Sequence, residues 1–293
     1  MRLSRSIGVY VATACGLLAF AAQALADGPD PADFRKARLG LKSALALVVD
    51  QNSGEVFYSK HDNEVVSIAS ITKLMTAIVI LDSGIPLLDK ITIDRKDIDR
   101  YKGSFSKLSV GTELMRAEAL KLALMASENR AAAALARTYP GGSEAFVDEM
   151  NAKAFELGML DSRFVDSTGL RPENVSTAED LVKLVSEAHS FPMIRDYTTA
   201  QSFAVESQSR RRTRVLRFVN SNRLVRSSRW EIGLSKTGYI SEAGRCLVMQ
   251  ARIADRSLII VLLDSWGRLT RIGDANRIKR WLESEFSRLS VRG

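Results

Sequence analysis

Ser70 stands three residues before Lys73 in the stretch SIASITKL (67–74), at the head of a long apolar run. Residues three apart on a helix share a face, so the pattern sets a hydroxyl beside an amine where the helix enters the interior. A serine hydroxyl is a poor nucleophile until a base takes its proton. A neutral lysine can be that base. Lowering its pKa from about 10.4 toward about 7 needs roughly 4 kcal/mol from lost hydration and nearby positive charge. The apolar helix supplies the first, and Lys236 supplies the second if the fold brings it across a cleft from Lys73. Ser127-Glu128-Asn129 adds a hydroxyl able to relay a proton to a leaving amine, and an amide able to hold both Lys73 and a substrate carbonyl. Lys236 and Thr237 offer a cation and a hydroxyl to a substrate carboxylate. Gly238 removes a side chain where substrate backbone must come close, and the N–H groups of Ser70 and Tyr239 can form an oxyanion hole. The chemistry is acyl transfer through a serine ester.

The spacing Ser-x-x-Lys alone is expected by chance about once in a chain of this length, and a Ser cap followed by a solvated Lys explains it as well. A second copy, Ser104 to Lys107, follows Gly103 with no apolar helix behind it and reads as loop. What separates the first copy is company. Nucleophile, relay and anion recogniser follow in order, on a helix start, a turn between helices and a strand. That trio marks class A β-lactamases and penicillin-binding proteins. His61 and His189 lie in no motif and read as surface or packing residues.

The elements that must position these groups are legible in outline. ALALVVD (44–50), a turn at Asn52-Ser53-Gly54 and EVFYS (55–59) form a β-hairpin, whose continuous apolar first strand predicts cover on both faces. From Ser70 to about 190 the pattern is helical. ITKLMTAIVILD stops at Ser83-Gly84, ELMRAEALKLALMA (113–126) and NRAAAALART (129–138) follow, and a helix opened by Ser143 ends at Gly158. Ser176 and Glu179 fit a capping box before a helix through about 188. Strands return at 233–240, 245–253 and 257–264, and an amphipathic helix over 274–289 packs Trp281 on the sheet. The expected fold class is α/β of the α+β kind: a central antiparallel sheet covered by helices beside an all-helical subdomain, with the site in the cleft between them. The sheet part takes 40–66 and 190–293, and the helical part 67–189.

Residues 1–26 read as a cleaved signal peptide, with Arg2 and Arg5 before an apolar run and Ala24-Leu25-Ala26 at the cut. Residues 27–293 are then the mature domain, and the protein is exported. Cleavage lowers the formal charge from +8 to +6 and leaves Cys246 as the one cysteine, so stability rests on the core. The 46% of hydrophobic residues suffices for one. Eight arginines lie between Arg210 and Arg229, including RRRTR. They read either as a solvated hairpin face or as a surface for anionic wall polymer or lipid headgroups.

Beyond the three motifs, SITKLMTA, LALMASENRAA, YPGG, FVDSTGL, NVSTAEDL and SKTGY resemble the low-molecular-mass penicillin-binding proteins, the serine DD-peptidases. Within them the likeness is to the D-alanyl-D-alanine endopeptidase group, the penicillin-binding protein 7 type, and it spans residues 40 to 285. The resemblance implies a β-lactamase/DD-peptidase-like fold and an acyl-enzyme on Ser70, with Lys73 as proton acceptor, Ser127 as third catalytic residue and Lys236 as substrate contact. It implies cleavage of D-Ala–diaminopimelate cross-links in peptidoglycan, β-lactams as covalent inhibitors, a periplasmic location, and no metal or organic cofactor; no nucleic-acid partner is expected. The chain stops some 55 residues after Lys-Thr-Gly, which favours the compact endopeptidase form over carboxypeptidases with a further β-rich domain. Glu128 stands where Asp is commoner, with no effect expected. Three other readings stay in view: a D-alanyl-D-alanine carboxypeptidase, a β-lactamase and a non-hydrolytic penicillin sensor. DSRFVDSTGLRPEN (161–174) lacks the Glu-x-x-x-Asn of a class A deacylating loop, and a sensor needs a signalling segment.

Overall fold

The computed structural model describes residues 39–209 and 212–290. Along the chain, β1 (Ser43–Asp50) and β2 (Val56–Lys60) form a hairpin, β3 (Val66–Ser67) leads to a 3-10 turn at Ala69–Thr72, and α1 (Lys73–Asp82) follows directly. Next come β4 (Lys90–Thr92), β5 (Glu113–Met115), α2 (Arg116–Met125), α3 (Asn129–Arg137) and α4 (Gly142–Glu156). Then follow β6 (Val175–Ser176), α5 (Ala178–Ser190), α6 (Pro192–Thr199) and the ribbon of β7 (Ser202–Ser209) with β8 (Arg212–Val219). β9 (Glu231–Ile240), β10 (Gly244–Ile253), β11 (Arg256–Ser265) and α7 (Thr270–Ser290) close the described chain.

Both ends of the chain meet in one five-stranded sheet, ordered β2-β1-β11-β10-β9 and antiparallel throughout. Its inner strands are apolar at nearly every position because both faces are covered. Leu45, Leu47 and Val49 of β1 join Ile259, Val261 and Leu263 of β11 in one core, while Ala46, Val48, Leu258, Ile260 and Leu262 point into the other. The two-residue period of a strand assigns alternate side chains to opposite faces. α7 covers the second face through Ala275, Ile278 and Leu282, with the Trp281 ring edge-on to Tyr58. The other face carries the helical segment. Its centre is α1, buried at every residue from Lys73 to Ile80, which places it in the middle of the helices rather than on their surface.

The structure departs from the sequence expectations in short elements. Residues 113–115 are not helical; they pair with 90–92 as β4 and β5, and the helix starts at Arg116. The cap of α5 is Thr177, whose side chain accepts the Asp180 amide, whereas Ser176 belongs to β6 and bonds Ser162. α6 also goes beyond the sequence reading. The signal peptide, Arg210 and Arg211 lie outside the described residues, and among the described residues no helix is long and apolar enough to cross a membrane.

Candidate active site

Ser70 sits in the 3-10 turn Ala69–Thr72, one step before α1, not as a side-chain cap of the helix. Its hydroxyl is therefore free of the helix amides. Ala69 holds φ +48°, a left-handed backbone uncommon for any residue with a Cβ. Two glycines allow that turn to exist. A Cβ on Gly169 would come within 1.9 Å of Ala69 O, and one on Gly238 within 2.9 Å of Ile68 O and 3.1 Å of Ser70 N. β9, the edge strand, thus runs directly against the Ser70 amide.

Lys73 Nζ lies 2.9 Å from Ser70 Oγ, 2.7 Å from Asn129 Oδ1 and 2.5 Å from Thr168 O. Its residue is fully buried, and burial pushes its pKa down to about 7, against the pull of Asp166, Glu128 and Asp99. The arrangement suits the neutral amine. Asn129 Oδ1 and Thr168 O accept its two N–H groups, which leaves its lone pair toward the Ser70 hydroxyl. The expected second cause, repulsion by Lys236, falls mainly on the partner. Burial first, then Lys73 and Arg271, hold Lys236 well below its ordinary value. The reason lies in the surroundings: three carboxylates act on Lys73, while cations act on Lys236.

Ser127 occupies the turn between α2 and α3 with φ +59°, and its Oγ accepts from Lys236 Nζ at 2.9 Å. The alternation along β9 turns Leu234, Lys236 and Ile240 to the face that the helices cover. Lys236 also donates to Thr237 O, and Thr237 Oγ1 donates to Ser221 Oγ at 2.7 Å. Tyr239 is exposed on the same edge with the Arg245 guanidinium over its ring. Ser70, Lys73, Ser127, Asn129, Lys236 and Gly238 are therefore brought together, with Thr237 and Tyr239 beside them on β9. His61 pairs with Glu64 on the surface and His189 with Gln51.

Several groups in this cleft are not legible as site residues from sequence. Glu128 is buried, its side chain accepts the Arg130 amide to cap α3, and its charge pulls on Lys73. Thr168 serves through its backbone carbonyl, which no side-chain motif announces. Ser104 lies in a loop as expected, yet its Oγ accepts from Asn129 Nδ2 at 2.9 Å. Outside the cleft, Arg271 at the start of α7 has Nε and Nη1 buried without a partner among the described residues. A groove of about 310 Å³ leaves the cleft between Asn129, Thr168, Asp99, Tyr101 and Arg171.

Residues 33–267 match the family model described as D-alanyl-D-alanine carboxypeptidase, peptidase S11. The chain belongs to this family of serine DD-peptidases. The D-alanyl-D-alanine endopeptidase of Pseudomonas aeruginosa is 45% identical over 90% of this chain and 84% of its own length. That of Escherichia coli is 44% identical over 83% of this chain and 78% of its own. The crystal structure of the Streptomyces K15 DD-transpeptidase superposes with a TM-score of 0.76 at 28% identity, covering 82% of this chain and 97% of that one. The fold is that of the β-lactamase-like DD-peptidases.

Proposed function

We propose that this chain is a serine D-alanyl-D-alanine endopeptidase, opening D-Ala–diaminopimelate cross-links of peptidoglycan through an acyl-enzyme on Ser70. The observation that carries the acyl-enzyme is a fully buried Lys73, its pKa lowered to about 7, in hydrogen-bond contact with the Ser70 hydroxyl; the 45% identical endopeptidase supports the choice of cross-link. The neutral amine takes the Ser70 proton as Oγ adds to the D-alanyl carbonyl carbon. The oxyanion falls between the N–H groups of Ser70 and Tyr239, an arrangement supported by the approach of Gly238 to Ser70 N. Asn129 takes the carbonyl of the acyl side. As the C–N bond breaks, the amine of the second stem leaves with a proton passed through Ser127, which Lys236 holds in line. Water then adds to the ester as Lys73 takes its proton, the bond between the acyl carbon and Ser70 Oγ breaks, and Lys73 returns the proton to Oγ. Thr237 and Lys236 bind the substrate carboxylate, and a β-lactam carbonyl enters the same path to acylate Ser70.

The reading divides the mature chain into the sheet part, 40–66 with 190–293, and the helical part, 67–189, with substrate in the cleft between. Removal of residues 1–26 as a signal peptide and a periplasmic location go with it. The exposed Arg214, Arg217, Arg223, Arg226 and Arg229 are taken as a surface for anionic wall polymer or membrane.

A second reading, a carboxypeptidase trimming pentapeptide stems, is favoured by the family description itself. Digestion of purified cross-linked muropeptide dimers, with products resolved by mass, decides between them. Conversion of dimers to monomers, lost in Ser70→Ala, is the expected outcome. Release of terminal D-alanine with the dimers intact would give the carboxypeptidase instead.

A further inference from the structure

We propose that the segment Asp99–Lys107 is a strap across the cleft, and that its Ser104, oriented by Asp99, fixes the amide of Asn129 for acylation. Both are positioning residues, and the proposal rests on the reading of Ser70 and Lys73 given above.

Asn129 presents Oδ1 to Lys73 and Nδ2 to Ser104 Oγ, at 2.7 and 2.9 Å. With the amide turned over, an N–H would face the neutral amine and compete for the lone pair that must take the Ser70 proton. An acceptor on the far side of Asn129 forbids that orientation. Ser104 is such an acceptor because of what it lies against. Asp99 Oδ2 accepts the Ser104 amide at 2.8 Å, and Oδ1 accepts the amides of Tyr101 and Lys102 at 2.8 and 2.9 Å. Partial burial works against the Asp99 charge, but the Lys102 and Ser104 amides, the Ser104 hydroxyl and the Tyr101 amide outweigh it and keep the carboxyl below its ordinary range. A carboxylate only accepts, so the Ser104 proton is drawn to Asp99 and its lone pairs are left for Asn129. One hydrogen of Nδ2 is then committed to Ser104, and the other is aimed at the substrate carbonyl.

The strap is held from both sides of the cleft. Lys102 Nζ meets Glu242 Oε1 at 2.5 Å on the turn between β9 and β10. Lys107 Nζ donates to Arg217 O of β8 at 2.7 Å, and Arg130 Nη1 of α3 donates to Leu108 O at 2.5 Å. Leu108, fully buried, anchors the end of the segment. Ser104 is thus placed by the sheet as well as by the helices.

The test is the rate of labelling by a fluorescent penicillin from pH 5 to 9, in Ser104→Ala, Ser104→Thr and Asp99→Asn, with thermal melting alongside. Ser104→Ala should label about tenfold more slowly with little change in melting, the size of one lost hydrogen bond. Ser104→Thr, which keeps the hydroxyl, should return to within about threefold. The charges acting on Lys73 are Asp166, Glu128 and Asp99, with Lys236 opposite on β9. Asp99→Asn removes one that raises its pKa, so the midpoint of the rate should move to lower pH. A wild-type rate in Ser104→Ala, no recovery in Ser104→Thr, or an unmoved midpoint in Asp99→Asn would overturn the strap alone. A wild-type chain that takes no label overturns the reading of Ser70, and the strap with it.

Discussion

In the proposed mechanism Lys73 becomes a base because of where α1 runs, not through an unusual neighbour. The helix is buried on all sides, so the amine loses its hydration, and three carboxylates keep the loss from going further. Glu128 is the most accessible of these to experiment. Glu128→Gln keeps an oxygen to accept the Arg130 amide, so α3 stays capped, while the charge that raises the Lys73 pKa is gone. The rate of penicillin labelling should then reach half-maximum at a lower pH than in wild type. An unmoved midpoint would mean that Glu128 acts as a cap only. At this scale the sequence announces residues whose side chains stand in motifs, namely Ser70, Lys73, Ser127, Asn129 and Lys236, which the structure brings together. It hides those that act through backbone or through another residue, such as Thr168 and Ser104, because no spacing rule marks them.

The 3-10 turn at Ala69–Thr72 is the element on which the proposed nucleophile depends, and Gly169 is what permits it. Gly169 has φ +75°, and a methyl group placed there would sit only 1.9 Å from Ala69 O, so Gly169→Ala must push the turn away or strain it. Labelling of Ser70 should fall by at least about tenfold, with a stability loss of roughly 1–3 kcal/mol. α7 offers the opposite case, an element that stabilises without touching the cleft through its buried acid. Asp274, fully buried, accepts from Lys42 N, Ser43 N and Ser43 Oγ and pairs with Arg277, tying the helix to the start of β1. Asp274→Ala strands these donors and should cost about 3 kcal/mol in urea unfolding, while the labelling rate of the folded protein stays near wild type. Long elements with a clear period, such as β1, β10, β11 and α7, are readable because burial on known faces dictates their pattern. β4, β5 and β6 are two or three residues long and owe their pairing to the chain around them, which no local pattern carries.

On the scale of the molecule, one sheet with a core on each face sets an edge strand against a helical body, and the reacting groups come from both sides of the resulting cleft. The β7–β8 ribbon carries its own charge beside it. Arg214→Gln with Arg217→Gln should weaken pelleting with purified sacculi at low salt and leave penicillin labelling unchanged; binding that survives both substitution and added salt would rule out an electrostatic surface. The measurement that bears most directly on the buried-amine mechanism is the pH dependence of covalent labelling at Ser70, followed by mass, in wild type and in Lys73→Met. A buried amine acting as base predicts a rate that climbs through about pH 7 and levels off above it, and almost no adduct in Lys73→Met. A rate flat from about pH 5 to 9, or a Lys73→Met chain that labels as fast as wild type, would contradict it.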